Sequence, residues 1–196
     1  MTTVTTYDDL LARTRALIET SDGLPVVGIS GHGGAGKSTL ALRLAADLGL
    51  VEDQVVATDA FYATTCGPEA GMWAQHDWGL LERVVRTARA GASRLTYDYR
   101  WWSGETGVED HPMPAVLLVE GIRLFSDRTE GWFDLTVWID MDPDEAGARA
   151  TARNVLQGDD EAELALWDTK WIPEGHDYER TERPQQRADL VVTAER

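Results

Sequence analysis

Short apolar runs alternate along the chain with longer stretches of helical spacing. Pro25–Ser30 (PVVGIS), Gln54–Thr58 (QVVAT), Ala115–Val119 (AVLLV) and Leu135–Asp140 (LTVWID) are apolar almost throughout and read as the first, second, fourth and fifth strands, with Ala188–Thr193 (ADLVVT) a candidate last one. Runs of that length and character read as strands buried on both faces. Leu95–Tyr99 reads as a further strand, third in chain order, with a turn or small hairpin over residues 100–112 around Gly104 and Gly107. Tyr7–Thr20, Lys37–Leu48, Asp77–Ala90 and Asp144–Leu156 carry helical spacing or strong helix formers. Another helical stretch follows the Gly158-Asp159-Asp160 break, and 59–76 is a loop with Gly67, Pro68 and Gly71. Buried strands alternating with helices predict an α/β fold of three α/β/α layers around a five-stranded parallel sheet. The Pro25–Ser30 strand is expected at its centre with Ala115–Val119 beside it. No repeat, low-complexity tract or linker interrupts the pattern, so one domain is expected over 1–196.

Charge narrows the function classes. The 196 residues carry 34 acids against 18 Lys and Arg, a formal net charge of −16. Such a chain repels a phosphate backbone at long range, which argues against nucleic acid as a partner. No apolar stretch approaches the roughly 18 residues of a membrane helix, so no membrane association is expected. The N-terminal segment has early acids and no apolar signal core. Cys66 stands alone and excludes an internal disulfide, which fits a cytoplasmic enzyme. In so acidic a chain a polyphosphate site must bring its own positive field.

Residues 31–38 read GHGGAGKS, and Gly31, Gly36, Lys37 and Ser38 satisfy G-x-x-x-x-G-K-[ST]. Glycines allow a turn whose N–H groups converge on phosphate oxygens, and the following helix adds its own unpaired N–H groups and positive dipole end. Lys37 is placed to bridge β- and γ-phosphates, and the Ser38 hydroxyl to ligate Mg²⁺. Lys37 and Lys170 are the only lysines, so this lysine is not background composition. The motif follows an expected strand and opens an expected helix, the context it requires. Gly31, Gly33, Gly34, Ala35, Gly36, Lys37, Ser38 and Thr39 are the expected contacts to ATP or a close relative.

Further motifs follow in order: Asp59-Ala60-Phe61-Tyr62, His76-Asp77-Trp78, Tyr97-Asp98-Tyr99, Val119-Glu120-Gly121-Ile122, the pair Arg149 and Arg153, and Ala188-Asp189-Leu190-Val191-Val192. Their order and spacing resemble the uridine kinase and phosphoribulokinase group of P-loop kinases over roughly residues 25–193. Within it the Asp-Trp pair is most similar to uridine-kinase-like proteins of actinobacteria. The resemblance implies an ATP- and Mg²⁺-dependent kinase with a small-molecule acceptor, a nucleoside such as uridine or cytidine, and a small helical lid over about 149–170. Other nucleosides, a pantothenate-like alcohol or a sugar are the alternative acceptors. The chain departs from the group in its shorter acceptor segment and in Asn154, where an acid usually follows the second lid arginine. An NTPase switch would want a guanine-reading N-K-x-D, which is absent; a nucleotide sensor without turnover is the remaining alternative. Further copies of the chain remain an open partner.

Physical roles follow for each residue. Asp59 ends the second strand, where α/β sheets bind ligands, and a carboxylate there can take the proton of an acceptor hydroxyl. Glu120 at the tip of a buried strand could hold a Mg²⁺ water or assist Asp59. Arg149 and Arg153 lie four apart, hence on one helix face, suited to phosphate charge or to ion pairs with nearby acids. Tyr62, His76, Asp77, Tyr97, Tyr99 and Trp101 are expected to line the acceptor side. Arg123 reaches phosphate or substrate, or else forms a surface ion pair. His32 is read as a variable loop residue, and Trp132, Trp138, Trp167 and Trp171 as packing residues.

Overall fold

Strand β1 (Val26–Ser30) is buried at every position, as is β5 (Leu117–Gly121). The computed structural model, which describes residues 5–51 and 54–193, sets these two strands side by side in parallel. With β2 (Val55–Ala57), β6 (Leu135–Asp140) and β7 (Leu190–Thr193) they form one sheet in the order β2-β5-β1-β6-β7, every pairing parallel. The expected centre and its expected neighbour are both observed. Alternate residues of each strand feed a core on each face. Val26, Leu117, Val119 and Trp138 pack with α3 (Trp78–Arg89) on one side. Val27, Ile29, Leu118 and Val137 pack with α1 (Tyr7–Thr20) and α2 (Lys37–Asp47) on the other.

Leu95–Tyr99 is a strand outside that sheet. It lies within β3 (Arg94–Arg100), which pairs antiparallel with β4 (Thr106–Pro112) as a separate two-stranded ribbon. Its alternation gives the reason: Leu95 and Tyr97 are buried while Arg94, Thr96 and Asp98 are exposed. That is the signature of a strand covered on one face only.

The C-terminal half wraps the sheet's carboxyl edge with α4 (Pro143–Gln157), α5 (Glu161–Leu166), a π-helical turn (Trp167–Trp171) and α6 (Ile172–Glu182). The expected lid segment, 149–170, is therefore the end of α4, all of α5 and most of the π turn. A short α7 (Pro184–Arg187) leads into β7. Among the described residues no helix is long and apolar enough to cross a membrane.

Because all five strands run parallel, Ser30, Ala57, Gly121, Asp140 and Thr193 end on one edge of the sheet. Ligands of open α/β sheets bind outside that edge. There lies a cleft of about 780 Å³, within the usual range for ligand sites.

Candidate active site

The glycine-rich loop leaves β1 at Ser30 and enters α2 at Lys37, so backbone geometry sets its shape. Gly36 sits in the left-handed region (φ 97°) and gives α2 no side-chain cap. The first-turn N–H groups of α2 thus remain available to an anion. Gly34 has φ 92°, and a Cβ there would lie 2.1 Å from the Ala146 carbonyl oxygen. Any side chain at 34 would push the loop off α4.

Lys37 is 8 % exposed and donates to the His32 carbonyl at 2.9 Å. Burial pushes its ammonium below the usual lysine range, against the pull of Glu120 and Asp59. Ser38 Oγ donates to Glu120 Oε1 at 2.9 Å. Burial raises the Glu120 carboxyl above its ordinary range, with Asp59 adding to that and Lys37 and the Ser38 hydrogen bond opposing it. His32 proves to be anchored. Its Nε2 lies 3.0 Å from Glu179 Oε1 on α6, and its ring meets Trp138 edge-on at 5.3 Å. Burial holds the imidazole below its usual pKa despite the nearby Glu179. The phosphate loop is thereby tied to the helix that follows the π turn.

Asp59 occupies a 3₁₀ turn directly after β2, and its side chain is 61 % exposed to the cleft. His76 Nε2 lies 3.8 Å from Asp59 Oδ1, an ionic contact longer than a hydrogen bond. Desolvation inside the cleft is the largest influence on this carboxyl and pushes it up. His76, Lys37 and Arg153 together outweigh it and leave Asp59 below the ordinary carboxylate range. A base so held is ionised at any physiological pH.

Beside Asp59 the cleft has aromatic walls. Tyr62 stacks on His76 with centroids 4.7 Å apart and meets Trp102 at 5.4 Å. Trp102 in turn meets Trp171 of the π turn at 5.8 Å. A β-bridge between Tyr62 and His76 folds the 59–76 loop back on itself, which brings the first two rings together. Both ring nitrogens of His76 are buried without a hydrogen-bond partner in the protein.

The structure brings Gly31–Thr39, Asp59, Tyr62, His76, Glu120, Arg123, Arg149 and Arg153 to one cleft. Asp77, Tyr97, Tyr99 and Trp101 do not line it. Asp77 caps α3, accepting from Leu80 N at 2.8 Å. Tyr97 packs on Phe61 inside the core. Tyr99 lies across the ribbon over Gly107. Trp101 packs on Tyr99, and its neighbour Trp102 is the residue that faces the cleft. Trp167 and Trp171, read as packing residues, line the cleft as well. Trp167 touches the phosphate loop: a Cβ at Gly33 would lie 2.8 Å from its ring. Their spacing of four put both on one face of a helix, a usable signal that pointed to no particular partner.

Arg123 lines the cleft, and its ion pair is buried rather than on the surface. It is 4 % exposed, pairs with Glu174 at 2.6 Å and donates to the Met72 carbonyl at 2.8 Å. Lys170 shares Glu174 at 2.9 Å. Arg123 thus clamps α6 to the 59–76 loop beneath the aromatic wall. Arg123→Ala is expected to destabilise the fold by about 3 kcal/mol, because a buried carboxylate loses a partner. Urea denaturation measures this directly.

The donor set bears on a metal. Among the described residues no three His, Cys, Asp or Glu side chains cluster to hold one alone. Mg²⁺ with a nucleotide needs only one or two protein oxygens, phosphates and waters supplying the rest. A buried carboxylate hydrogen-bonded to the Ser38 hydroxyl fits that requirement.

No protein-family model matches the chain, and no curated protein sequence matches it. Solved structures do share its fold. A candidate fructose transport system kinase from Silicibacter sp. TM1040 superposes with a TM-score of 0.71 at 20% identity, covering 93% of this chain and 98% of its own. A candidate uridine kinase from Bacillus stearothermophilus gives 0.63 at 20% identity, with 95% and 96% covered. The YGR205w protein gives 0.58 at 14% identity, with 91% and 90% covered.

Proposed function

We propose that this protein is an ATP-dependent small-molecule kinase of the uridine kinase and phosphoribulokinase type. One observation carries the reading: the Asp59 carboxylate opens into the same cleft as Lys37 and Ser38, with an aromatic-walled space beside it. A nucleotide sensor needs the loop but has no use for an ionised carboxylate facing a second, aromatic-walled subsite. In the proposed reaction Asp59 accepts the proton of an acceptor hydroxyl. The acceptor oxygen forms a bond to the γ-phosphorus as the bond from that phosphorus to the bridging oxygen breaks, and ADP leaves. The loop N–H groups and Lys37 hold the phosphates and offset the charge that develops on them. Mg²⁺ held at Ser38 and Glu120 would neutralise phosphate charge further. The cytoplasm, where ATP is supplied, is the proposed compartment.

The two lid arginines divide the work. Arg153 lines the cleft with Lys37 and Asp59 and donates to Asn154 Oδ1 at 3.0 Å, and in the proposed reaction it turns to the transferring group. Arg149 lies 3.6 Å from the Met141 sulfur, just past the end of β6. Arg153→Ala is expected to lower kcat by about 10²-fold, the scale of a lost transition-state donor. Arg149→Ala is expected to raise KM for ATP by about tenfold, the scale of a charged hydrogen bond. Steady-state kinetics in ATP at saturating acceptor separates the two.

The rings of Tyr62, His76, Trp102 and Trp171 favour an acceptor with a flat face, such as a base or a sugar. A nucleoside such as uridine or cytidine is the proposed acceptor. A sugar is the second reading, supported by the same tryptophan faces and by the description of the Silicibacter structure. ADP release from ATP across a panel of nucleosides, sugars and pantothenate-like alcohols tests the proposal. A rate that no acceptor raises above the acceptor-free background would leave an NTPase or sensor.

A further inference from the structure

The cleft is longer than the transfer reaction needs. From Asp59 and the aromatic wall it passes the phosphate loop and continues to Thr6, Tyr7, Arg43 and Thr193. The acceptor has its own walls at the first end, so the far end serves something else. The γ-phosphate must approach Asp59, so the remainder of the donor runs away from it along α2. Arg43 stands six residues beyond Lys37 on that helix, about 9 Å at 1.5 Å per residue. A nucleobase lies about that far from its own β-phosphate.

What stands there is a built platform. The Arg43 guanidinium lies over the Tyr7 ring, 3.6 Å from its centroid. The Tyr7 hydroxyl donates to Asp47 Oδ2 at 2.5 Å, and Arg15 holds the Asp47 carbonyl at 3.0 Å. The segment entering α1 is fastened by Thr5 N donating to the Val191 carbonyl at 2.8 Å, which ties it to β7. A planar cation seated over a ring whose hydroxyl is itself anchored is a stacking surface for another π system.

We propose that Arg43, supported by Tyr7, seats the planar base of the nucleoside triphosphate donor. The inference rests on the kinase reading and extends it to the base. Helix α1 then belongs to the nucleotide site, although it lies far in sequence from the remainder of that site.

The test compares a ligand that has the base with one that lacks it. Calorimetric titration of the full chain with AMP-PNP and with inorganic tripolyphosphate, both with Mg²⁺, provides the readout. Arg43→Ala is expected to weaken AMP-PNP about tenfold and tripolyphosphate less than twofold, since only stacking is lost. Tyr7→Phe, which keeps the ring, is expected to retain the preference for AMP-PNP; Tyr7→Leu is expected to lose it. Arg43→Ala binding AMP-PNP as tightly as the parent would overturn the proposal. So would equal weakening of both ligands, which would make Arg43 a phosphate contact. A parent chain that binds neither ligand would remove the kinase reading and the base seat together, whereas loss of the selectivity effect alone removes only the seat.

Discussion

Lys37→Met is expected to lower kcat/KM by about 10²–10³-fold or more while leaving the chain folded. The magnitude follows from what the ammonium does. It is the one cation embedded in the glycine loop, and it sits where charge builds on the transferring phosphate. Retention of the fold follows from what holding it costs. The ammonium is 8 % exposed, and burial already disfavours its charged form, so its removal relieves a desolvation penalty. It donates one hydrogen bond, to the His32 carbonyl, which lies at the cleft and can turn to water. Methionine keeps the apolar stem in place. Circular dichroism and a thermal melt should match the parent closely, and a coupled ADP assay should report the lost turnover. A Lys37→Met protein with parental kinetics would remove the phosphate loop from the mechanism.

The parts that were legible in sequence are local. The strand, glycine loop and helix over residues 26–47 fold from consecutive residues, so GHGGAGKS announced its own context. Fully apolar runs likewise named the strands of the parallel sheet, since burial on both faces leaves no polar position. The acceptor side was harder because an aromatic or acidic residue type does not say which way its side chain faces. Asp77 reads equally as a ligand contact or a helix cap, and the start of α3 decided for the cap. Tyr97 lies on the buried face of an alternating strand, so it joined the core. Trp101 and Trp102 are adjacent, and only the ribbon's geometry determines which one faces the cleft. Tyr7 on Arg43, His32 on Glu179 and Trp167 on Gly33 join residues far apart in the chain, and no local pattern encodes such contacts.

Asp59→Asn is expected to lower kcat by about 10²–10⁴-fold, the range for losing a general base, while KM for ATP stays near the parent value. Asparagine keeps the shape and can still hydrogen-bond, so the acceptor hydroxyl remains oriented but its proton has nowhere to go. The pH dependence gives a second, independent reading. The folded-state carboxyl lies below the ordinary range because His76, Lys37 and Arg153 outweigh desolvation. A depressed carboxyl stays ionised until pH falls through its folded value, so kcat/KM should show no Asp59 limb between neutrality and the usual carboxylate range. Any stability it contributes follows the same sign. That contribution is present above the unfolded pKa and is lost as pH falls through the folded one. His76→Phe removes the imidazole that lies 3.8 Å from Asp59 Oδ1 and leaves Tyr62 a ring to stack on. It should move the acidic limb upward toward ordinary carboxylate values, with KM for ATP little changed. A purely structural His76 would change melting temperature and leave the limb where it was. If Asp59→Asn instead raised KM for ATP and spared kcat, the carboxylate would belong to the nucleotide's phosphates. Glu120, hydrogen-bonded to Ser38 in the same cleft, would then be the residue to test as base.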